Sequence, residues 1–440
     1  MIERERERER ERERFFIMIL RDQIFVQIAA YRDPELIPTI KDCLEKAKYP
    51  SRINFAIAWQ HSPEDEWDNL EEFKNNQRFQ ILDIDYKKTF GVCWARSELQ
   101  KLWNGEKYTL QLDSHHRFEQ DWDETLIGMM ENLREKGYKK PLLTAYLPSY
   151  EPKDYPKSRL NSPWRIEFDR FSGEGVLHVV PEEVKNHEEF TEPIPARFGS
   201  GHFVFTYGIV NKMVPYDPHY YFYGEEISFA VRAFTHGFDL FHPHIPVVWH
   251  QYTRRGEKRH WDDHENWSER DKASFRRNQK LFSMDGFEYD PKEFGFYGFG
   301  RIRTLEDYEK YAGVSFKKRA VQQETLDRKL PPNPSYENEE DYEKSFIGVF
   351  KECINVHFDV VPLDDYDFWA VAFEDENGVE LHRQDADAEE IKRMKTDPDR
   401  FCRLWRSFHT EVRPYTWIVW PHSKSKGWQE RLTGALYEKS

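Results

Sequence analysis

Over the first 150 residues, apolar runs and amphipathic stretches take turns. Ile24–Ala30 is apolar except at Gln27, the pattern of a buried strand. Asp33 and Pro34 follow as an N-cap and first-turn pair. Leu36, Ile40, Leu44 and Ala47 then line one helical face. The same reading predicts strands at Asn54–Trp59, Phe79–Ile84, Tyr108–Leu112 and Leu142–Tyr146, and helices over Gly91–Trp103 and Asp121–Lys136. Units in that alternation build a mostly parallel sheet wrapped by helices, so the predicted class is α/β.

Beyond Pro148 the rhythm loosens into Pro- and charge-rich loops up to about Ala196, then returns over Phe198–Tyr207, Tyr220–Gly237 and Val247–Tyr252. Arg254–Arg270, polar and rich in His and Trp, reads as a long surface loop or lid. The strongest break is Leu330-Pro331-Pro332-Asn333-Pro334. After it, strands are predicted at Lys344–Val349, Phe368–Phe373, Val379–Arg383 and Thr416–Trp420, with a helix near Ala388–Lys395. Asn377-Gly378 marks a hairpin turn between the second and third of these strands. The expected domains are therefore a charged tail over 1–22, an α/β domain over 23–330 and a small β-rich domain over 335–440.

Composition narrows the function classes. A net charge of −15 argues against nucleic-acid binding. Cys43, Cys93, Cys353 and Cys402 lie far apart, which is neither a disulfide framework nor a zinc motif and suits a reducing compartment. No stretch approaches the ~20 apolar residues of a membrane span. The alternating Glu-Arg run before Phe15 reads as a solvated tail or frayed helix rather than a signal peptide. A cytoplasmic protein is expected.

Candidate chemistry clusters where predicted strands end. Tyr108–Leu112 empties into Asp113-Ser114-His115, and in an open α/β sheet the carboxyl ends of strands are where ligands sit. Asp oxygen and His nitrogen together suit a borderline divalent cation such as Mn²⁺, which could bridge a diphosphate. Ala30-Tyr31-Arg32-Asp33, at the first strand's exit, offers an aromatic and an acid to a nucleoside. Arg96, on the helix before the Asp113 strand, could meet a phosphate or sugar, or simply be solvated. Glu225 and Glu226 open the Ile227-Val231-Phe234 helix, where acids also occur for stability alone. His250 ends Val247-Val248-Trp249 and reads by itself as a structural histidine more readily than as a ligand. His260 and His264, in so polar a loop, read as coincidence.

These pieces, in this order, resemble the GT-A-type GlcNAc-transferases that modify hydroxyproline, Ser or Thr of proteins, the family of the Skp1 GlcNAc-transferase. The resemblance runs from about Ile24 to Arg319. It rests on Ala30-Tyr31-Arg32-Asp33-Pro34-Glu35, Gln111-Leu112-Asp113-Ser114-His115-His116-Arg117-Phe118, Phe222-Tyr223-Gly224-Glu225-Glu226-Ile227-Ser228, Val247-Val248-Trp249-His250 and the stretch from Tyr297 to Tyr308. A more distant likeness is to polypeptide GalNAc-transferases. The resemblance implies a GT-A, Rossmann-like domain; the β-rich domain after it, like the Glu-Arg tail, has no counterpart in the family. It also implies Asp113, His115 and His250 as ligands of Mn²⁺ or another divalent cation. Ala30, Tyr31, Arg32, Asp33, Arg96, Asp113 and Ser114 would bind the donor, and Glu225 and Glu226 would be the catalytic acids. The implied activity is retaining transfer of GlcNAc from UDP-GlcNAc to a polypeptide hydroxyl. Two alternatives stand beside it: transfer to a glycan, lipid or small molecule, and a non-catalytic module that binds UDP-sugar or protein.

Overall fold

A computed structural model describes residues 22–436. The Glu-Arg tail expectation lies outside the described residues. By their contacts, the residues form two compact units. The first runs to Glu167 and adds 179–281 and 289–312; the second comprises 168–178, 282–288 and the chain from Gly313.

The first unit is built on an eight-stranded mixed sheet. Its leading half is parallel: β3 (Phe79–Asp85), β2 (Ile53–His61), β1 (Ile24–Tyr31) and β4 (Tyr108–Leu112), in that spatial order. Helices α1 (Leu36–Lys46), α2 (Val92–Gln100) and α3 (Trp122–Glu135) lie between these strands in sequence or follow them. The apolar run of β1 arises because both its faces are covered. Ile24, Val26, Ile28 and Ala30 join one core cluster, with Leu36, Ile40 and Trp122, while Phe25 joins another with Ala95 and Leu99. Asp33 does not cap α1 from the N-cap position; the helix begins at Leu36, and the Asp33 side chain accepts from the Glu35 N–H instead.

The other half of the sheet departs from a simple parallel order. After α3 come β6 (Pro141–Thr144), a hairpin of β7 (Trp164–Phe171) and β8 (Leu177–Glu183) that forms its own two-stranded sheet, the short β9 (Ile194–Pro195) and β10 (Phe203–Tyr207). β10 inserts antiparallel between β4 and β6. The segment expected to be all loop thus contains the β7–β8 hairpin. Its alternation was masked by charge on the polar face, where Arg165 pairs with Glu167 and Glu182. Helix α4 (Glu225–Thr235) precedes β11 (Asp239–His242), and β12 (Val248–His250) pairs antiparallel with β5 (His116–Phe118), apart from the main sheet. The expected lid holds a short helix, His260–Asp263, and enters the long helix Trp267–Leu281, whose few apolar positions hid its period.

The second unit is β-rich. β13 (Val314–Ser315), β14 (Ala320–Gln322), β15 (Phe346–His357) and β19 (Phe401–Thr410) form one sheet. A second sheet is built around β16 (Tyr366–Glu374), β17 (Glu380–Arg383), the short β18 (Ala386–Asp387) and β20 (Thr416–Ser423), and includes the Asn377-Gly378 hairpin. Residues 313–330, grouped by sequence with the first domain, belong to this unit because β14 pairs with β15 across the proline-rich break. β19 was not anticipated. Cys402, Leu404, Arg406 and Phe408 are buried while Arg403, Trp405, Ser407 and His409 are exposed, and the inward arginine disguised the period. Arg406 is accommodated there by Glu390, at 2.9 Å.

Candidate active site

β4 ends at Leu112, and Asp113 emerges at the carboxyl edge of the sheet with His115 two residues on. β5 starts at once and takes β12 as its partner, in a register that sets His250 opposite His116. That pairing brings a residue distant in sequence to the Asp113 edge. Asp113 Oδ2 lies 3.9 Å from His115 Nε2 and 3.7 Å from His250 Nε2. Ligand atoms of all three residues fall within 4.8 Å of one another.

The residues fit a divalent cation. Both ring nitrogens of His250 are buried without a hydrogen-bond partner, a costly arrangement unless something else occupies a lone pair. Burial, reinforced by the adjacent His202, pushes its imidazole well below the ordinary value and keeps it in the neutral, ligating form. Burial alone would push the Asp113 carboxyl up, but His250, Arg96 and His115 outweigh it and hold the group well below the usual carboxylate range. A neutral imidazole and a carboxylate are the protonation states a cation requires.

A second cluster adjoins this one. Arg96, buried on α2, donates to Asp113 Oδ1 at 3.0 Å and to Glu225 Oε1 at 2.8 Å. Gly201, just before β10, lies flush against the pair, and a Cβ there would meet Glu225 Oε1 at 2.3 Å. The two acids at the start of α4 have different surroundings. Glu226 is occupied on both oxygens, by the Gly201 N–H at 2.7 Å and the Tyr146 hydroxyl at 2.8 Å. Glu225 Oε2 is buried with no partner. Burial pushes the Glu225 carboxyl up to about 7, against the pull of Arg96 and with that of Glu226.

The remaining expected donor residues lie at the β1 exit. Ala30 is in the core, in register with Trp59. Tyr31 donates to Asp263 Oδ2 at 2.9 Å, and Arg32 pairs with Asp65 at 2.7 Å and Asp263 at 3.1 Å, so the former lid segment is fastened here. Arg32 has a φ of 45°, a left-handed backbone uncommon for a side chain of its size. Asp33 and Ser114 face inward and bond each other at 2.5 Å. His260 and His264 stack on one another at 3.9 Å and share the Thr89 hydroxyl, so they are structural. Sequence reasoning missed Gly201, Tyr146, His202 and Arg254, whose guanidinium lies 3.2 Å from Asp33. Only Gly201 left a trace, in the Gly-Ser-Gly run before β10.

The first unit is thus a GT-A, Rossmann-like α/β domain with an Asp/His cluster at a strand's carboxyl edge. The family model described as Glycosyltransferase (GlcNAc) matches residues 23–77 and 67–318, and the chain belongs to that family. No curated protein matches. Among solved structures, the chain is similar to GalNAc-T7 with UDP, GalNAc and Mn²⁺, at 14% identity over 65% of this chain and 53% of that one, TM-score 0.42. It is also similar to residues 1–349 of S. aureus TarS in complex with UDP-GlcNAc, at 12% identity over 56% and 64%, TM-score 0.33. A third is the mannosyltransferase PcManGT from Pyrobaculum calidifontis with GDP-Man and Mn²⁺, at 10% identity over 54% and 59%, TM-score 0.31. The chain thus spans little more than half of the length of these proteins. Among the described residues no helix is long and apolar enough to cross a membrane.

Proposed function

We propose that this protein is a divalent-metal-dependent, retaining transferase that moves GlcNAc from UDP-GlcNAc to a hydroxyl of a polypeptide, in the cytoplasm. The observation that carries the reading is the convergence of Asp113, His115 and His250 within 4.8 Å beside the Arg96–Glu225 pair. Asp113, His115 and His250 would hold the cation, which when bound neutralises charge on the diphosphate as it leaves. Arg96 adds a fixed positive charge at the same edge and keeps Asp113 ionised and aimed. Glu225, with an unpartnered oxygen, is the acid suited to orient the incoming hydroxyl or to face the oxocarbenium-like centre. Glu226 holds Gly201 and Tyr146 in place.

For the second unit we propose recognition of the acceptor or of a glycan on it. Trp420 and Trp428, 38% and 46% exposed, stand 4.5 Å apart with Phe368 and His422 against Trp428, a surface suited to sugar rings. The double variant Trp420→Ala/Trp428→Ala should raise KM for acceptor and leave donor hydrolysis unchanged; an unchanged acceptor KM would remove this role.

The test of the main reading is release of UDP from a panel of UDP-sugars, with and without Mn²⁺, for wild type and Asp113→Ala. Metal-dependent turnover of UDP-GlcNAc above the others, lost in the variant, is expected. Turnover that ignores the metal or survives in Asp113→Ala would overturn it. Product mass analysis with polypeptide, glycan and lipid acceptors then fixes the acceptor class.

A further inference from the structure

Asp33 was expected to contact the donor, but its surroundings give it a different task. It is 1% exposed, beneath the site. Its Oδ1 accepts from the Glu35 N–H at 2.9 Å. Its Oδ2 accepts from the Ser114 hydroxyl at 2.5 Å and faces His115 Nδ1 at 2.7 Å. Arg254 approaches the same oxygen at 3.2 Å, off the line of a good hydrogen bond. Buried, and with both oxygens bonded to the protein, this carboxylate is turned to the protein interior rather than to a nucleoside.

We infer that Asp33 is a positioning residue that fixes the tautomer and orientation of His115, an inference that rests on the proposed metal role of that histidine. An ionised carboxylate only accepts hydrogen bonds, so the Nδ1 nitrogen it contacts must carry the proton. Neutral imidazole has one proton to place, and Nε2 therefore keeps its lone pair. Nε2 is the nitrogen on the Asp113 side, 3.9 Å from Oδ2. A carboxylate behind a ligating histidine has this effect generally, orienting the ring and raising its basicity. Ser114, which donates to the same Asp33 oxygen, is itself held, because its carbonyl accepts from the Thr39 hydroxyl at 2.9 Å.

Asp33→Asn tests the assignment. The amide oxygen can keep the Glu35 N–H, which puts the NH₂ group where Oδ2 was. That group donates to His115 Nδ1 and drives the ring proton to Nε2, masking the ligand lone pair. In full-length protein without metal, nitrogen-15 NMR of the neutral imidazole should show His115 protonated at Nδ1 in wild type and at Nε2 in Asp33→Asn. Mn²⁺ affinity by calorimetry should fall ~10–100-fold in the variant, the range seen when such supporting partners are lost. His115→Ala separates the two layers of the argument. If it binds Mn²⁺ as wild type does, the metal reading of His115 fails while the NMR arm still judges the tautomer. An Nε2-protonated His115 in wild type overturns the proposal without any variant, and so does Asp33→Asn binding Mn²⁺ with wild-type affinity.

Discussion

Gly201→Ala should separate stability from turnover more cleanly than any other single change at this site. A Cβ at position 201 would lie 2.3 Å from Glu225 Oε1, 2.6 Å from one terminal nitrogen of Arg96 and 3.0 Å from the other. Ordinary contact begins near 3.4 Å, so these atoms must retreat by roughly 1 Å. The backbone cannot retreat in their place. Its N–H is bound to Glu226 Oε1 at 2.7 Å and its carbonyl to the Gln111 amide at 2.7 Å. The crowded atoms are ends of long side chains, which can give at the cost of their mutual hydrogen bond. Destabilisation should therefore be modest, about 1–2 kcal/mol by analogy with overpacked cores. Turnover should suffer far more, because a misplacement of ~1 Å at reacting groups costs about 100-fold. Urea unfolding and metal-dependent UDP release read the two quantities separately. Gly128→Ala is the control. It lies on α3 with open space around its Cβ position, so the same substitution should leave turnover alone and stabilise by up to ~1 kcal/mol. Wild-type turnover in Gly201→Ala would refute the placement of the Arg96–Glu225 pair at the reacting centre.

Three further outcomes follow from the geometry. Asp123, fully buried, accepts from the Lys48 and Tyr49 N–H groups and pairs with Arg52 at 2.8 Å, while Arg52 keeps Glu124 at 2.6 Å as a second partner; Asp123→Asn should cost about 1–3 kcal/mol in urea unfolding, and an unchanged stability would show that Glu124 alone suffices for Arg52. The Glu225 carboxyl, raised by burial to about 7 against about 4.3 unfolded, holds its proton longer when folded, so its stabilising share is full below about 4.3 and is lost as pH rises through about 7. Glu225→Gln should flatten the stability curve across that window, and an unchanged curve in urea titrations would contradict the assignment. Mn²⁺ at a hundred times its Kd should stabilise wild type by about 2.7 kcal/mol, reversibly with chelator, and His250→Ala by much less; equal gains would exclude His250 as a ligand.

Much of this protein was legible in the chain because neighbouring residues encode it. The apolar runs of β1, β2, β3 and β4 and the helical period of α1 and α3 are local patterns, and they gave the α/β class and the strand edge at which Asp113 and His115 emerge. Asn377-Gly378 announced its hairpin for the same reason, since a two-residue turn imposes its own backbone demands. Elements failed to show where charge occupied one face of a strand, as in β7, or where an arginine turned inward, as in β19 with Arg406.

Tertiary structure decided the rest. Nothing near His250 in sequence says that it belongs beside Asp113; the β5–β12 pairing does that, joining segments far apart in the chain. The difference between Glu225 and Glu226 is likewise invisible to composition. Both open the same helical turn and are alike in residue type, and only Arg96, Gly201 and Tyr146, brought in from three other segments, leave one acid with a vacant oxygen and occupy the other. Asp33 shows the same division. Its place at the end of β1 was readable from local pattern, whereas its contact with His115 exists because β1 and β4 lie side by side in the sheet. Local periodicity fixes which elements form. Which side chains meet depends on how those elements are ordered and registered, and a single strand does not carry that information.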